Sequence, residues 1–72
     1  MSEDPINPAF QRILQYFQYQ HLPVHLQLIS APLCQVAHDM VIATAGSNNP
    51  AEVTVGLRKL LEAKDCFVRA MV

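Results

Sequence analysis

Glycine and charge are what this sequence has least of. Two glycines among 72 residues leave no glycine-rich loop to cradle a phosphate, and no strand alternation, repeat or low-complexity tract is visible. Charged residues make up only 15% of the chain and the net charge is −1. That excludes a broad basic surface for polymeric nucleic acid, which needs clustered Lys and Arg. It leaves room for a small pocket with one or two cations. The two cysteines, Cys34 and Cys66, form no CxxC motif. They are either one disulfide or two free thiols, and free thiols fit a reducing cytosol. The opening MSEDPINPAF carries acids and prolines in place of a basic start and an apolar run, so no secretory signal is expected and the expected location is cytoplasmic. The longest apolar run, Met40 to Ala45, covers about six residues with Thr44 counted in it, and no membrane span is expected from it.

Catalytic equipment is also lacking. Asp39, Glu52, Glu62 and Asp65 make no obvious carboxylate pair. Cys34 and His38 are a conceivable nucleophile and base, but no oxyanion site accompanies them. The sequence therefore predicts a protein that is not an enzyme and uses no cofactor. His21 with His25, and Cys34 with His38, are each four apart and could grip a metal on continuous helices. Pro23 interrupts the first pair, and no metal site is predicted.

Apolar residues are abundant, at 51%. A chain this short buries little of its own surface, so such an excess predicts one small domain that oligomerises. The predicted fold is all-α: a loose tail over 1–6, an N-terminal helix over 7–20, then a joint and an antiparallel two-helix hairpin over 21–72. Asn7-Pro8 starts the first helix, with Phe10, Ile13, Leu14 and Phe17 at helical spacing. Pro23 disfavours helix at Leu22, and Val24 to Ile29 reads as a short helical or irregular stretch. Ser30 is expected to cap the next helix, with Pro32 in its first turn and Leu33, Val36, Ala37, Met40 and Ala43 on its inner face. Gly46 is placed as the stop. Asn49, Pro50 and Glu52 give a capping-box start to the last helix. At about 100° per residue, its inner face collects Val53, Gly56, Leu57, Leu60, Ala63, Phe67, Ala70 and Met71, widened by Leu61 and Val68. A second apolar surface, for another subunit, is expected around Cys34, Ile42 and Val55.

Lys64 falls in the middle of that apolar stripe. It either snorkels to an edge, pairs with Asp39 or Glu62, or faces a phosphate. Arg58 with Glu62 and Asp65 with Arg69 are i,i+4 pairs on the polar side; they are either solvated ion pairs or a presentation of Arg69 to an anionic ligand. Tyr16, Phe17 and Tyr19 cluster at the end of the first helix, where aromatics either cover the hairpin or stack on a base.

The segment FQYQHLPVHLQ at 17–27, together with Asn49 to Ala70, resembles the helical-hairpin domain of the phage anti-CBASS cyclic-oligonucleotide sponges, a domain shared with a Thoeris anti-defence sponge. The likeness covers about Phe17 to Met71 and is strongest in the E-x-T-x-x-L-x-K-L-x-E-A run from Glu52 to Ala63. It implies a homo-hexamer of hairpins that sequesters cyclic di- or trinucleotide messengers in the host bacterial cytosol without hydrolysing them. It implies that Tyr19 stacks on a base and that Arg69 contributes to ligand contacts. The sponges use a lysine near the start of the first hairpin helix, where this chain has Ser30-Ala31-Pro32; Ser30, His21 or Lys64 can take its place. The alternative function, from a different class, is an oligomeric helical adaptor that binds protein and no small molecule.

Overall fold

A computed structural model describes residues 7–72, which form three α-helices, one 3₁₀ turn and no strand. The tail expected over 1–6 lies outside the described residues.

The first helix, α1 (Pro8–Leu14), begins as its sequence dictates. The Asn7 side chain accepts from the Ala9 N–H at 2.9 Å, and Pro8 stands at the first helical position, where its missing N–H costs nothing. The helix tightens into a 3₁₀ turn, Gln15–Phe17, and Gln18 is extended. It is therefore shorter than the expected 7–20. The tightening delivers Phe17 into the core, where it is 0% exposed; full burial of such a side chain is worth about 1.5–3 kcal/mol. A turn closed by the Leu22 N–H on the Tyr19 carbonyl, at 3.0 Å, then redirects the chain.

The next helix corrects the sequence reading. Val24–Ala43 is one continuous helix, α2, started at Pro23, whose carbonyl accepts from Leu26 and Gln27 N–H at 2.9 and 3.0 Å. The Gln27 side chain donates back to the Leu22 carbonyl at 2.8 Å, tying the joint to the helix. Ser30 is thus not a cap but a buried residue inside α2, and Pro32 lies within the helix rather than in its first turn. Proline there leaves the Leu28 carbonyl without its helical donor. Leu28 is exposed, on the side where water is at hand. After Thr44, Gly46 takes φ +84°, the left-handed conformation that ends the segment.

The last helix, α3 (Pro50–Ala70), starts at the expected cap: Asn49 Oδ1 accepts from the Glu52 N–H at 3.3 Å. The box is completed differently, because the Asn49 N–H goes to Ser47 Oγ at 3.0 Å.

The three helices share one small core of Ile13, Leu14, Phe17, Ala37, Val41 and Leu57, flanked by Phe10, Cys34, Val53, Leu60 and Leu61. α1 packs on both arms of the hairpin. Its position turns the expected inner faces. On α2 the buried residues are Leu26, Ser30, Ala37 and Val41, while Val36, Met40 and Ala43 are exposed. On α3 only Leu57 is fully buried, and Gly56, Phe67, Ala70 and Met71 are exposed. Seven apolar residues are buried while ten large ones remain exposed among the described residues. Of the residues expected to mark a second surface, Cys34 packs at the edge of the core, and Ile42 and Val55 stand exposed on α2 and α3. α2 is also long and apolar enough to cross a membrane by length and composition alone, which the count of unbroken apolar runs overlooked. It packs here as an arm of the hairpin.

Candidate functional site at the joint

The end of the 3₁₀ turn, the joint and the last turns of α3 enclose a hollow of about 310 Å³, lined by Tyr16, Gln18, His21, Lys64, Asp65 and Arg69 among others. Three of the five residues singled out from the sequence, His21, Lys64 and Arg69, therefore come together. Lys64 and Arg69 share α3, and His21, distant in the chain, joins them because α1 folds back along α3.

Lys64 is the hinge of this arrangement. Its side chain is 12% exposed, and its ammonium donates to the Tyr16 carbonyl at 2.7 Å. The helix-end carbonyl of Tyr16 has no donor of its own within the 3₁₀ turn, so the cation supplies one. Asp65 Oδ1 lies 3.6 Å from the same ammonium. This replaces the expected Lys64 pairings with Asp39 or Glu62. It also takes Asp65 away from Arg69, and it is the one ion pair among the described residues. An ammonium carries three donors, and the hydrogen bond to Tyr16 uses one of them.

Arg69 is exposed, and its guanidinium meets Cys66 Sγ at 3.3 Å, with no carboxylate in range among the described residues. Its fork of donors is therefore free to meet an anion in two-point fashion. His21 is exposed at the rim. The aromatic surface in the hollow belongs to Tyr16, which is 59% exposed. Sequence reasoning ranked Tyr19 above it. Tyr19 is half-buried and stands in the chain between Gln18 and His21, but does not line the hollow. Tyr16 was legible as one of three clustered aromatics; what singled it out is the helical register that buries Phe17 and turns Tyr16 outward.

Ser30 is not part of the hollow. It is wholly buried in α2, and its Oγ has no hydrogen-bond partner among the described residues. Cys34 is half-buried, and burial pushes its thiol above the ordinary value, opposed by the nearby Lys64 charge. His38 Nδ1 donates to the Cys34 carbonyl at 2.9 Å, with Cys34 Sγ at 3.7 Å. A thiol held protonated beside a ring nitrogen committed to a carbonyl is poorly set up as a nucleophile. Both cysteines are free. Among the described residues no three His, Cys, Asp or Glu side chains gather as a metal site.

No protein-family model, curated protein or solved structure matches the chain.

Proposed function

We propose that this protein binds and sequesters a cyclic di- or trinucleotide, acting as a homo-oligomer and returning the ligand intact. The observation that supports the reading most is the hollow at the joint, where an exposed tyrosine ring stands beside the free guanidinium of Arg69, the ammonium of Lys64 and the imidazole of His21. Cyclic dinucleotides carry two flat bases and two phosphate charges. Recognition needs aromatic faces for stacking and a few directed cations, and a chain of net charge −1 supplies those locally. The resemblance to the sponge domain narrows an anionic, base-bearing ligand to a cyclic oligonucleotide, and the absence of catalytic equipment in the sequence favours sequestration over hydrolysis. It also makes the host cytosol, where such messengers circulate, the place of action. A hollow of about 310 Å³ is at the lower end of ligand sites, which run about 300–1,000 Å³. It is sized for one base and its phosphate.

Titration calorimetry against a panel of cyclic di- and trinucleotides tests this, with the recovered nucleotide identified by mass spectrometry. Binding with intact recovery is expected, weakened about tenfold or more by Arg69→Ala, since a hydrogen bond to a charged group is worth about 1.5–3 kcal/mol. Silence across the panel would transfer support to the adaptor reading, which the ten exposed large apolar residues favour. Linear product would show an enzyme.

A further inference from the structure

We propose that a second copy of this chain packs across the open face of the α2/α3 hairpin, making a two-fold four-helix bundle with both joint hollows left outside it. The proposal rests on the homo-oligomeric part of the reading above and is independent of the ligand.

The face is defined by two matched seams. On α2 they are Ile29, Leu33, Val36 and Met40; on α3, Gly56, Leu60, Ala63 and Phe67. Both repeat at intervals of four, three and four, the spacing by which helices pack side by side in bundles. α1 covers the other side of the hairpin through Ile13, Leu14 and Phe17; along the seams Val36, Met40, Gly56 and Phe67 are exposed, while Ile29, Leu33, Leu60 and Ala63 are half-buried, Leu60 against the core. Val36, Met40 and Phe67 are 41%, 45% and 58% exposed. Between the helices, at Val36, Met40, Gly56 and Leu60, runs a groove of about 490 Å³.

Gly56 is the second observation. Glycine inside a helix costs about 0.8–1.0 kcal/mol against alanine, and nothing in the protomer requires it: a Cβ there would meet no atom within 4 Å. The missing side chain deepens the groove toward the outside, where it admits a close neighbour.

The occupant follows from the size of the face. α2 and α3 have 20 and 21 residues. At 1.5 Å rise and an axis separation of 8–10 Å, the face is about 30 Å long and about 20 Å wide, on the order of 600 Å² in projection. That is on the scale of the roughly 800 Å² per partner of a stable interface. A single helix would cover one seam and leave the other wet. A second hairpin of this chain brings two seams of the same length and spacing, and an isologous two-fold contact closes with no apolar face left over. With the two-fold axis along the hairpin, α2 of one copy lies antiparallel on α3 of the other. Each copy's Val36 and Met40 then come level with the other's Gly56, large residues against the missing side chain. Lys64, Asp65 and Arg69 lie on another side of α3, so assembly does not block the hollow.

Sedimentation velocity of the full chain at micromolar concentrations tests the face, with calorimetry on the same samples. The expected wild type is a dimer or an even multiple. Gly56→Leu fills the groove without touching the protomer's own core, and should weaken self-association about tenfold or more with unchanged helical circular dichroism. Val36→Glu should do the same, and Val55→Lys, on another side of α3, should leave assembly intact. A wild-type monomer would overturn the proposal, whether or not it binds lipid vesicles. So would an oligomer that Gly56→Leu and Val36→Glu leave as tight as wild type. Ligand binding that persists or fails in these variants reports on the hollow separately.

Discussion

Replacing Lys64 separates the two roles a cation in an apolar stripe can have. Its ammonium donates to the Tyr16 carbonyl at 2.7 Å, across 48 positions of chain. That hydrogen bond to a charged group is worth about 1.5–3 kcal/mol. The ion pair with half-exposed Asp65 at 3.6 Å adds about 0–1. The stem is nearly buried, and methylenes contribute about 0.8 kcal/mol each. Lys64→Met keeps most of the stem and loses the charge. Water reaches the exposed edge where Tyr16 sits and recovers part of the loss, so the net cost is about 1–2 kcal/mol. Lys64→Ala loses the stem as well, for about 3–4 kcal/mol in all. A domain of this length has a total stability of about 4–11 kcal/mol, so alanine removes a large share of it. Each kcal/mol moves the midpoint by about 4–8 °C in a domain this small. Thermal unfolding followed by circular dichroism at fixed chain concentration should therefore place the methionine variant about 5–15 °C below wild type, with alanine lower still. A methionine variant that melts with wild type and binds ligand more weakly would refute the reasoning. The amine would then be free for a ligand and not tied to the helix end.

Ser30→Ala should raise the melting midpoint or leave it unchanged, because a buried hydroxyl without a partner costs about 1–3 kcal/mol; a loss of ligand affinity in this variant would instead return Ser30 to the site. Asn49→Ala should cost about 1 kcal/mol of stability by removing the cap on α3, measured by urea unfolding with an unchanged m-value. The raised Cys34 thiol predicts stability that is full below pH 9.0 and falls as pH rises beyond it, since the unfolded chain ionises first; Cys34→Ala should remove that slope, and a slope equal to wild type would refute its origin. Tyr16→Ala should weaken ligand binding about tenfold, as stacking is worth roughly 1–3 kcal/mol per base; if only Tyr19→Ala does so, the ligand lies outside the hollow as drawn.

The helix starts were legible because capping is local. Asn7-Pro8 and Asn49-Pro50 name their own chemistry within three residues, and the left-handed Gly46 does the same for the turn. Ser30 and Pro32 misled for the same reason: a serine two residues before a proline carries the local signature of a helix start. Yet α2 already runs through it from Val24, held by its packing on α1 and α3. Periodicity identified the apolar stripes of α2 and α3 but could not divide them between neighbours. That division depends on where α1 lies, and α1 is placed by Phe17 entering the core and by the Lys64 clamp, both long-range. The same clamp brings His21 to Lys64 and Arg69, a meeting that spacing in the chain does not show.

The two surfaces of α3 explain why so short a chain is so apolar. Seven buried apolar residues among the described residues are a small core, and domains of this length are marginal when they stand alone. Leu57, Leu61, Lys64 and Val68 turn toward α1 and α2, while Gly56 and Phe67 face outward and Leu60 and Ala63 stand half-buried between the two sides. One register thus serves the protomer, the adjacent register would serve the proposed second copy, and Arg69 on the remaining side is left to the proposed ligand. In the proposed arrangement, assembly and ligand binding fall to different residues of one helix. Stability, on this arrangement, rises with chain concentration, and substitutions at Gly56 and at Arg69 act on separate measurements. The glycine that weakens α3 as an isolated helix is the residue through which a second copy would stabilise it.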